Sequence, residues 1–263
     1  MKRIASLLMM VIAVVSALNM NAQSRVVSFG SPDMKVFLPP ASIANGKAVL
    51  CCPGGGYSVL ASDHEGYDWA PYFNNLGYAY AVVRYRMPNG DKTIPMNDVA
   101  QCFKILRDSA AVWHFSPEQI GIMGSSAGGH LASTIATHPS TGCNPAFQIL
   151  FYPVISLAAD ITHHGTRHGF LGDNPSEEEV AAWSSDNNVS SATPPAFLVL
   201  CSDDTVVPPA NSILYYNALV ANHIPASMFI YPTGNHGWGY HTTFSYHTQM
   251  LSELTTWLRN LSE

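Results

Sequence analysis

Short apolar runs alternate along this chain with segments whose apolar residues recur every three or four positions. Lys47 to Cys52, Tyr78 to Tyr85, Ile120 to Met123, Phe147 to Tyr152, Ala196 to Cys201 and Ala226 to Tyr231 are near-continuous apolar stretches. That is the pattern of strands buried on both faces. Between them, Met96 to His114 carries Val99, Cys102, Phe103, Leu106, Ala110 and Val112 or Trp113 at helical spacing. Gly66 to Leu76, Gly129 to Thr137, Pro209 to Asn222 and Thr248 to Leu261 also read as helices, and Ser116-Pro-Glu-Gln as a short turn. Arg25 to Phe29 and Met34 to Leu38 are two further strands, joined as a hairpin across Gly30 to Asp33. The alternation predicts an α/β domain, a mostly parallel central sheet with helices on both faces.

The alternation breaks between Pro153 and Pro195. This stretch, about 154–195, holds His163, His164, Arg167, His168, three consecutive glutamates from Glu177 to Glu179, and Trp183. An insertion at this point of such a fold lies over the strand ends where ligands bind, so it reads as a cap. The glutamates suit the first turn of a helix capped by Asn174-Pro175-Ser176. No carboxylate or cysteine sits at a familiar metal spacing from the histidines, so no metal site is expected.

Residues 1–22 stand apart: Lys2 and Arg3, then an apolar run from Ile4 to Leu18, then Asn-Met-Asn-Ala. The run is too short for a stable span and has the layout of a cleavable export signal. Cleavage is expected after Ala22, with Ala17 as the alternative, and no cysteine follows closely enough for a lipid anchor. Residues 23–263 then form a single domain, secreted or periplasmic. Losing two basic residues leaves ten against eighteen acidic, a net charge of −8, which argues against nucleic acid or anionic membrane surfaces as partners. The five cysteines, two of them adjacent, form no framework and read as small core residues.

Three strand ends carry the chemistry. Gly124-Ser125-Ser126-Ala127-Gly128 is a Gly-x-Ser-x-Gly turn between a strand and a helix, the setting that lifts a serine hydroxyl above a sheet. Asp203 and Asp204 follow the Ala196 to Cys201 strand, and His236 lies among glycines after the last strand. Serine needs a base, and the base needs a group to fix its tautomer. Ser126 is therefore the candidate nucleophile, His236 the base and an aspartate the third member. The pattern does not separate Asp203 from Asp204, and His223, His241 and His247 are rivals to His236. Gly54, Gly55 and Gly56 with Tyr57 form a loop whose bare N–H groups, with that of Ala127, can hold an oxyanion. Tyr57, Trp183, Trp238 and Tyr240 are candidates for stacking on a sugar or an aromatic acyl group.

These stretches resemble the bacterial α/β-hydrolase esterases grouped with acetyl xylan esterases and feruloyl or acetyl esterases. Pro53 to Tyr57, Gly124 to His130, Thr166 to Gly172, Thr193 to Phe197, Asp203 to Pro208 and Gly234 to Gly239 carry the resemblance. It implies Asp204 as the triad acid and Gly55 and Gly56, with Ala127, as the oxyanion hole. Relatives commonly have His-Gly-Gly-Gly where this chain has Pro53, so the support of that loop is expected to differ. The implied substrate is a small ester or an acetylated oligosaccharide or polysaccharide of xylan type, cleaved without a cofactor. A feruloyl or general short-chain carboxylesterase is the alternative within the class. A non-catalytic carbohydrate-binding protein and a prolyl-type peptidase, which needs an acidic pair for the substrate's amino terminus, are the alternatives outside it.

Overall fold

The computed structural model describes residues 25–261, so the leader and its cleavage site lie outside the described residues. Eight strands form one sheet: β1 (Arg25–Gly30), β2 (Asp33–Leu38), β3 (Gly46–Cys52), β4 (Ala79–Val83), β5 (Phe115–Ser125), β6 (Gln148–Phe151), β7 (Ala196–Cys201) and β8 (Ala226–Tyr231). Their order is β1-β2-β4-β3-β5-β6-β7-β8. The β1–β2 hairpin and the β2–β4 pair are antiparallel, and every other pair is parallel.

Side-chain alternation along the strands feeds two separate cores. Leu50 and Cys52 of β3 face the side covered by α2 (Thr93–Ser109), α3 (Ser126–Thr137) and α6 (Ala210–Ala221), through Phe103, Leu131 and Leu219 among others. Val49 and Cys51 face the opposite side, where α1 (Ala70–Asn75) and α7 (His247–Asn260) supply Phe73 and Leu254. Helices thus cover both faces, as the apolar pattern predicts. All five cysteines are buried free thiols.

The boundary before the serine differs from the expected turn. Phe115 pairs with Gly46, and the next pair is Ile120 with Ala48, so β5 spends five residues where β3 spends two. Ser116 to Gln119 bulge outward as part of the strand's entry, which reconciles turn-forming residues with a strand assignment. The long helix also starts earlier than its apolar spacing suggests, at Thr93, after Asp91 Oδ1 accepts from the Thr93 N–H and hydroxyl.

The 154–195 stretch packs against the glycine loop and the start of α3, Phe170 stacking on Tyr57 and the Val154 N–H donating to the Ser126 oxygen. It contains α4 (His164–Leu171) and α5 (Glu177–Ala182). Ser176 caps α5 by accepting from the Glu179 N–H, and the glutamates occupy its first turn. The ring of His163 caps α4, its Nδ1 accepting from the Thr166 N–H at 3.1 Å. Phe170 and Leu171 anchor this layer in the core beside Tyr57.

Candidate active site

Ser126 sits at the junction of β5 and α3 with φ of 53°, a left-handed conformation that costs a non-glycine residue energy and projects its side chain off the sheet. The flanking glycines are steric requirements. A Cβ on Gly124 would lie 2.2 Å from the Gly128 oxygen, and one on Gly128 would lie 2.0 Å from the Cys52 oxygen. Helix and neighbouring strand therefore touch backbone to backbone, and the serine between them is fixed.

The loops after β7 and β8 bring the other two groups to it. His236 Nε2 is 2.9 Å from Ser126 Oγ, and His236 Nδ1 is 2.7 Å from Asp204 Oδ2. The carboxylate accepts the Nδ1 proton, which leaves the Nε2 lone pair to accept from the serine hydroxyl. Asp204 Oδ1 accepts from the N–H groups of Val206 and Val207, each at 2.9 Å, so the acid is itself held. Geometry separates the aspartates: Asp203 accepts from the N–H groups of Gly234 and Asn235, bracing the histidine loop from beneath. His241 stacks on His64 at 4.5 Å, while His247 begins α7. Neither reaches the serine.

On the other side of Ser126, the N–H groups of Gly55, Gly56 and Ala127 have no acceptor among the described residues. Ala127 lies in the first turn of α3, where N–H groups lack intrahelical partners and the helix dipole favours negative charge. Gly55 and Gly56 have φ of 132° and 65°, and a Cβ on Gly55 would fall 2.1 Å from the Val59 oxygen. The third glycine has a different task. Gly54 N–H donates to Glu65 Oε2 at 2.8 Å and is not free for an oxyanion.

Glu65 answers the question raised by Pro53. It is 3% exposed, and its other oxygen accepts from the Tyr152 hydroxyl at 2.8 Å. That hydroxyl accepts from the Gly239 N–H, and the Tyr152 ring stands edge-on to His236, centroids 4.6 Å apart. Tyr85 adds a second tie, donating to the Pro53 oxygen at 2.6 Å. A buried carboxylate thus joins the oxyanion loop to the histidine loop. Sequence reasoning passed over Glu65 because a lone acid ahead of a helix reads as surface; its only signal is its position eleven residues after Gly54.

His130, in the turn after the serine, is similarly structural. Its Nε2–H donates to the Trp183 carbonyl at 2.9 Å, so its Nδ1 accepts from the Tyr57 hydroxyl at 3.0 Å. Burial lowers its pKa to about 4. The serine helix, the glycine loop and the 154–195 stretch meet on this neutral ring.

The rings of the aromatic residues expected at the pocket are largely spent on packing, although Tyr57 borders a groove and Trp183 stays half-buried at another hollow. The Tyr57 ring is 2% exposed and stacks on Phe170, although its chain position borders a groove. Trp238 is 5% exposed, stacked on Phe244 and set edge-on to Tyr152. Trp183 stacks on His138 and borders a separate hollow beside the start of α2. Each large ring removes more apolar area from water in the core than against a ligand, and packing decides its place. No cluster of three or more His, Cys, Asp or Glu side chains among the described residues is arranged to hold a metal ion.

The model of the prolyl oligopeptidase family matches residues 66–262. The chain belongs to this family. Its fold is the α/β-hydrolase fold. The structure is similar to that of an acetyl ester-xyloside bifunctional hydrolase from Caldicellulosiruptor lactoaceticus, with TM-score 0.82, 32% identity and 88% of each chain covered. The sequence is 42% identical to an acetylxylan esterase of Xylanibacter ruminicola over 88% of this chain and 49% of that protein. It is 33% identical to endo-1,4-beta-xylanase B of Butyrivibrio fibrisolvens over 72% of this chain and 32% of that one. The chain therefore spans half or less of the length of these two relatives. The family match begins at Gly66, after the glycine loop.

Proposed function

We propose that the protein is a serine carboxylic-ester hydrolase that removes acetyl groups from xylan-type polysaccharide or its oligosaccharides. The observation that carries the reaction type is the continuous chain from Asp204 through His236 to Ser126, with links of 2.7 and 2.9 Å. In this reading Ser126 Oγ attacks the acyl carbon and His236 Nε2 takes the serine proton. Asp204 holds the imidazolium. The carbonyl oxygen, now negative, takes the N–H groups of Ala127 and of Gly55 and Gly56. His236 then passes its proton to the sugar oxygen as that bond breaks, and water repeats the sequence on the acyl-enzyme. The acetyl-sugar assignment is supported by the likeness to an acetylxylan esterase and to an acetyl ester-xyloside hydrolase. Export, proposed from residues 1–22, places such an enzyme with extracellular polymer.

Acetate release from acetylated xylan by wild type and by Ser126→Ala tests this directly. Release by wild type alone supports the nucleophile and the substrate together; hydrolysis of aryl esters without acetate release from xylan overturns the substrate. Faster cleavage of a prolyl amide than of the matching ester would favour the peptidase reading that the family name raises. The mechanism uses no metal, so activity is expected to survive EDTA.

A further inference from the structure

A groove of about 590 Å³ opens at Gly56, one of the two oxyanion-loop glycines, and runs between the Asn89–Gly90 turn and the cap helix α4. The turn and the helix are joined beneath it, Gly90 N–H donating to the Gly169 oxygen at 2.8 Å. Its size falls within the range of about 300–1,000 Å³ typical of small-molecule sites. An acetyl methyl group needs little of it. The lining reaches Gly56 but not Ser126, Ala127 or His236, so the groove suits a part of the ester beyond the reacting carbonyl, and the alcohol is the larger part.

The lining fits a hydroxyl-rich ring. Gly90 and Gly172, both at positive φ, face one another so closely that a Cβ on Gly90 would lie 3.5 Å from the Gly172 Cα. Both line the groove, and without side chains there a ligand can lie close to backbone. Ser58, Asn89, His168 and Asp173 border it with exposed polar groups, His168 and Asp173 paired at 3.1 Å and the Ser58 hydroxyl donating to the Gly55 oxygen. No exposed aromatic ring borders it, since Tyr57 is turned into the core. A polyol that needs hydrogen bonds is served better here than a feruloyl ring that needs a flat apolar wall.

His163 supplies a donor at the groove's edge. Its Nδ1 accepts from the Thr166 N–H, so the ring proton of the neutral form is on Nε2, and this N–H has no partner among the described residues. Half-burial lowers the pKa of the ring and favours its neutral form. The ring stands over the oxyanion loop, its Cε1 3.4 Å from where a Cβ on Gly56 would be.

We propose that this groove is the leaving-group subsite, that it binds the xylose units carrying the ester, and that His163 Nε2–H donates to a hydroxyl of that sugar. The proposal rests on the esterase reading above. His163 is a specificity residue here, acting on the substrate alcohol and not on the reacting carbonyl.

The test compares kcat/KM on acetylated xylotriose with kcat/KM on p-nitrophenyl acetate, whose leaving group has no hydroxyls to recognise. His163→Ala is expected to lower the xylotriose-to-aryl ratio about tenfold, the worth of a lost hydrogen bond of about 1.4 kcal/mol. His163→Gln, which retains a donor, is expected to recover part of the ratio. His168→Trp places bulk at the groove's rim on a side chain 67% exposed, where folding tolerates it, and is expected to lower the ratio without touching His163. A ratio that stays within about twofold of wild type in both His163→Ala and His168→Trp, while wild type deacetylates xylotriose, overturns the groove and leaves the esterase. Wild type that cleaves p-nitrophenyl acetate but not acetylated xylotriose overturns both the sugar substrate and the groove. Cleavage of neither ester overturns the esterase reading itself.

Discussion

The two sides of Ser126 are built differently. On the acid–base side, carboxylates of the loop after β7 hold the loop after β8, Asp203 through the Gly234 and Asn235 N–H groups and Asp204 through the His236 ring, while Asp204 is itself held by the Val206 and Val207 N–H groups. On the oxyanion side, the glycine loop is held by buried side chains from elsewhere in the chain, Glu65 with Tyr152 and His130 with Tyr57. The first arrangement joins the loops after two adjacent strands and carries its own residue signature. The second depends on distant residues that meet only when the sheet, helix and cap have packed. Disturbing the first should abolish the chemistry; disturbing the second should weaken both the chemistry and the fold.

The largest effect that tests this contrast is at the nucleophile. Ser126→Ala is expected to reduce kcat on p-nitrophenyl acetate by about 10⁴-fold or more with the melting temperature nearly unchanged. Retained turnover would remove Ser126 from the mechanism. Next come the paired aspartates. Asp204→Asn should cost about 10³- to 10⁴-fold in kcat by disturbing the histidine tautomer, whereas Asp203→Asn, which still offers one acceptor to the loop, should cost about tenfold. Equal losses in the two variants would contradict the assignment.

Glu65→Gln probes the opposite side. Glutamine has one acceptor oxygen where the site uses two, so either the Gly54 N–H or the Tyr152 hydroxyl loses its partner. Removing an oxyanion donor outright costs about 10²- to 10³-fold, and a displaced loop should cost less, about 10- to 100-fold in kcat. Stability should fall by about 1–3 kcal/mol for the orphaned buried group. A fall in stability with kcat intact would show that Glu65 supports the fold and not the loop's catalytic geometry.

The smallest effect is on pH dependence. His130 is neutral in the folded protein with a pKa lowered to about 4 from the ordinary 6.5. As pH falls below 6.5 the unfolded chain takes up the proton first. Its contribution is therefore complete above 6.5 and is lost as pH falls toward about 4, amounting to about 3 kcal/mol. Urea midpoints at pH 7 and pH 4.5 should show this loss in wild type and a smaller one in His130→Gln, which can still donate to Trp183 and accept from Tyr57. Equal acid sensitivity in the two proteins would assign the loss to other groups.

Periodicity and glycine placement made the sheet, the flanking helices and the serine, aspartate and histidine loops legible in the sequence, because each is a local pattern of burial or turn chemistry. The Ser116 to Gln119 bulge was not legible, since turn residues inside a strand take their register from β3. Tyr57, Trp183 and Trp238 were read as pocket walls because an aromatic residue beside a catalytic motif looks the same whether it faces solvent or core. Packing against Phe170 and Phe244 turns Tyr57 and Trp238 inward, whereas Trp183 stacks on His138 and stays half-buried. The residue pattern left Asp203 and Asp204 equal and only the family resemblance favoured Asp204; the contact with His236, and Glu65 as the loop's support, required the fold. Sequence alone determined which chemistry the strand ends can carry. Tertiary structure decided which polar groups are spent holding backbone and which N–H groups remain free, because that allocation depends on hydrogen-bond partners from residues far apart in the chain.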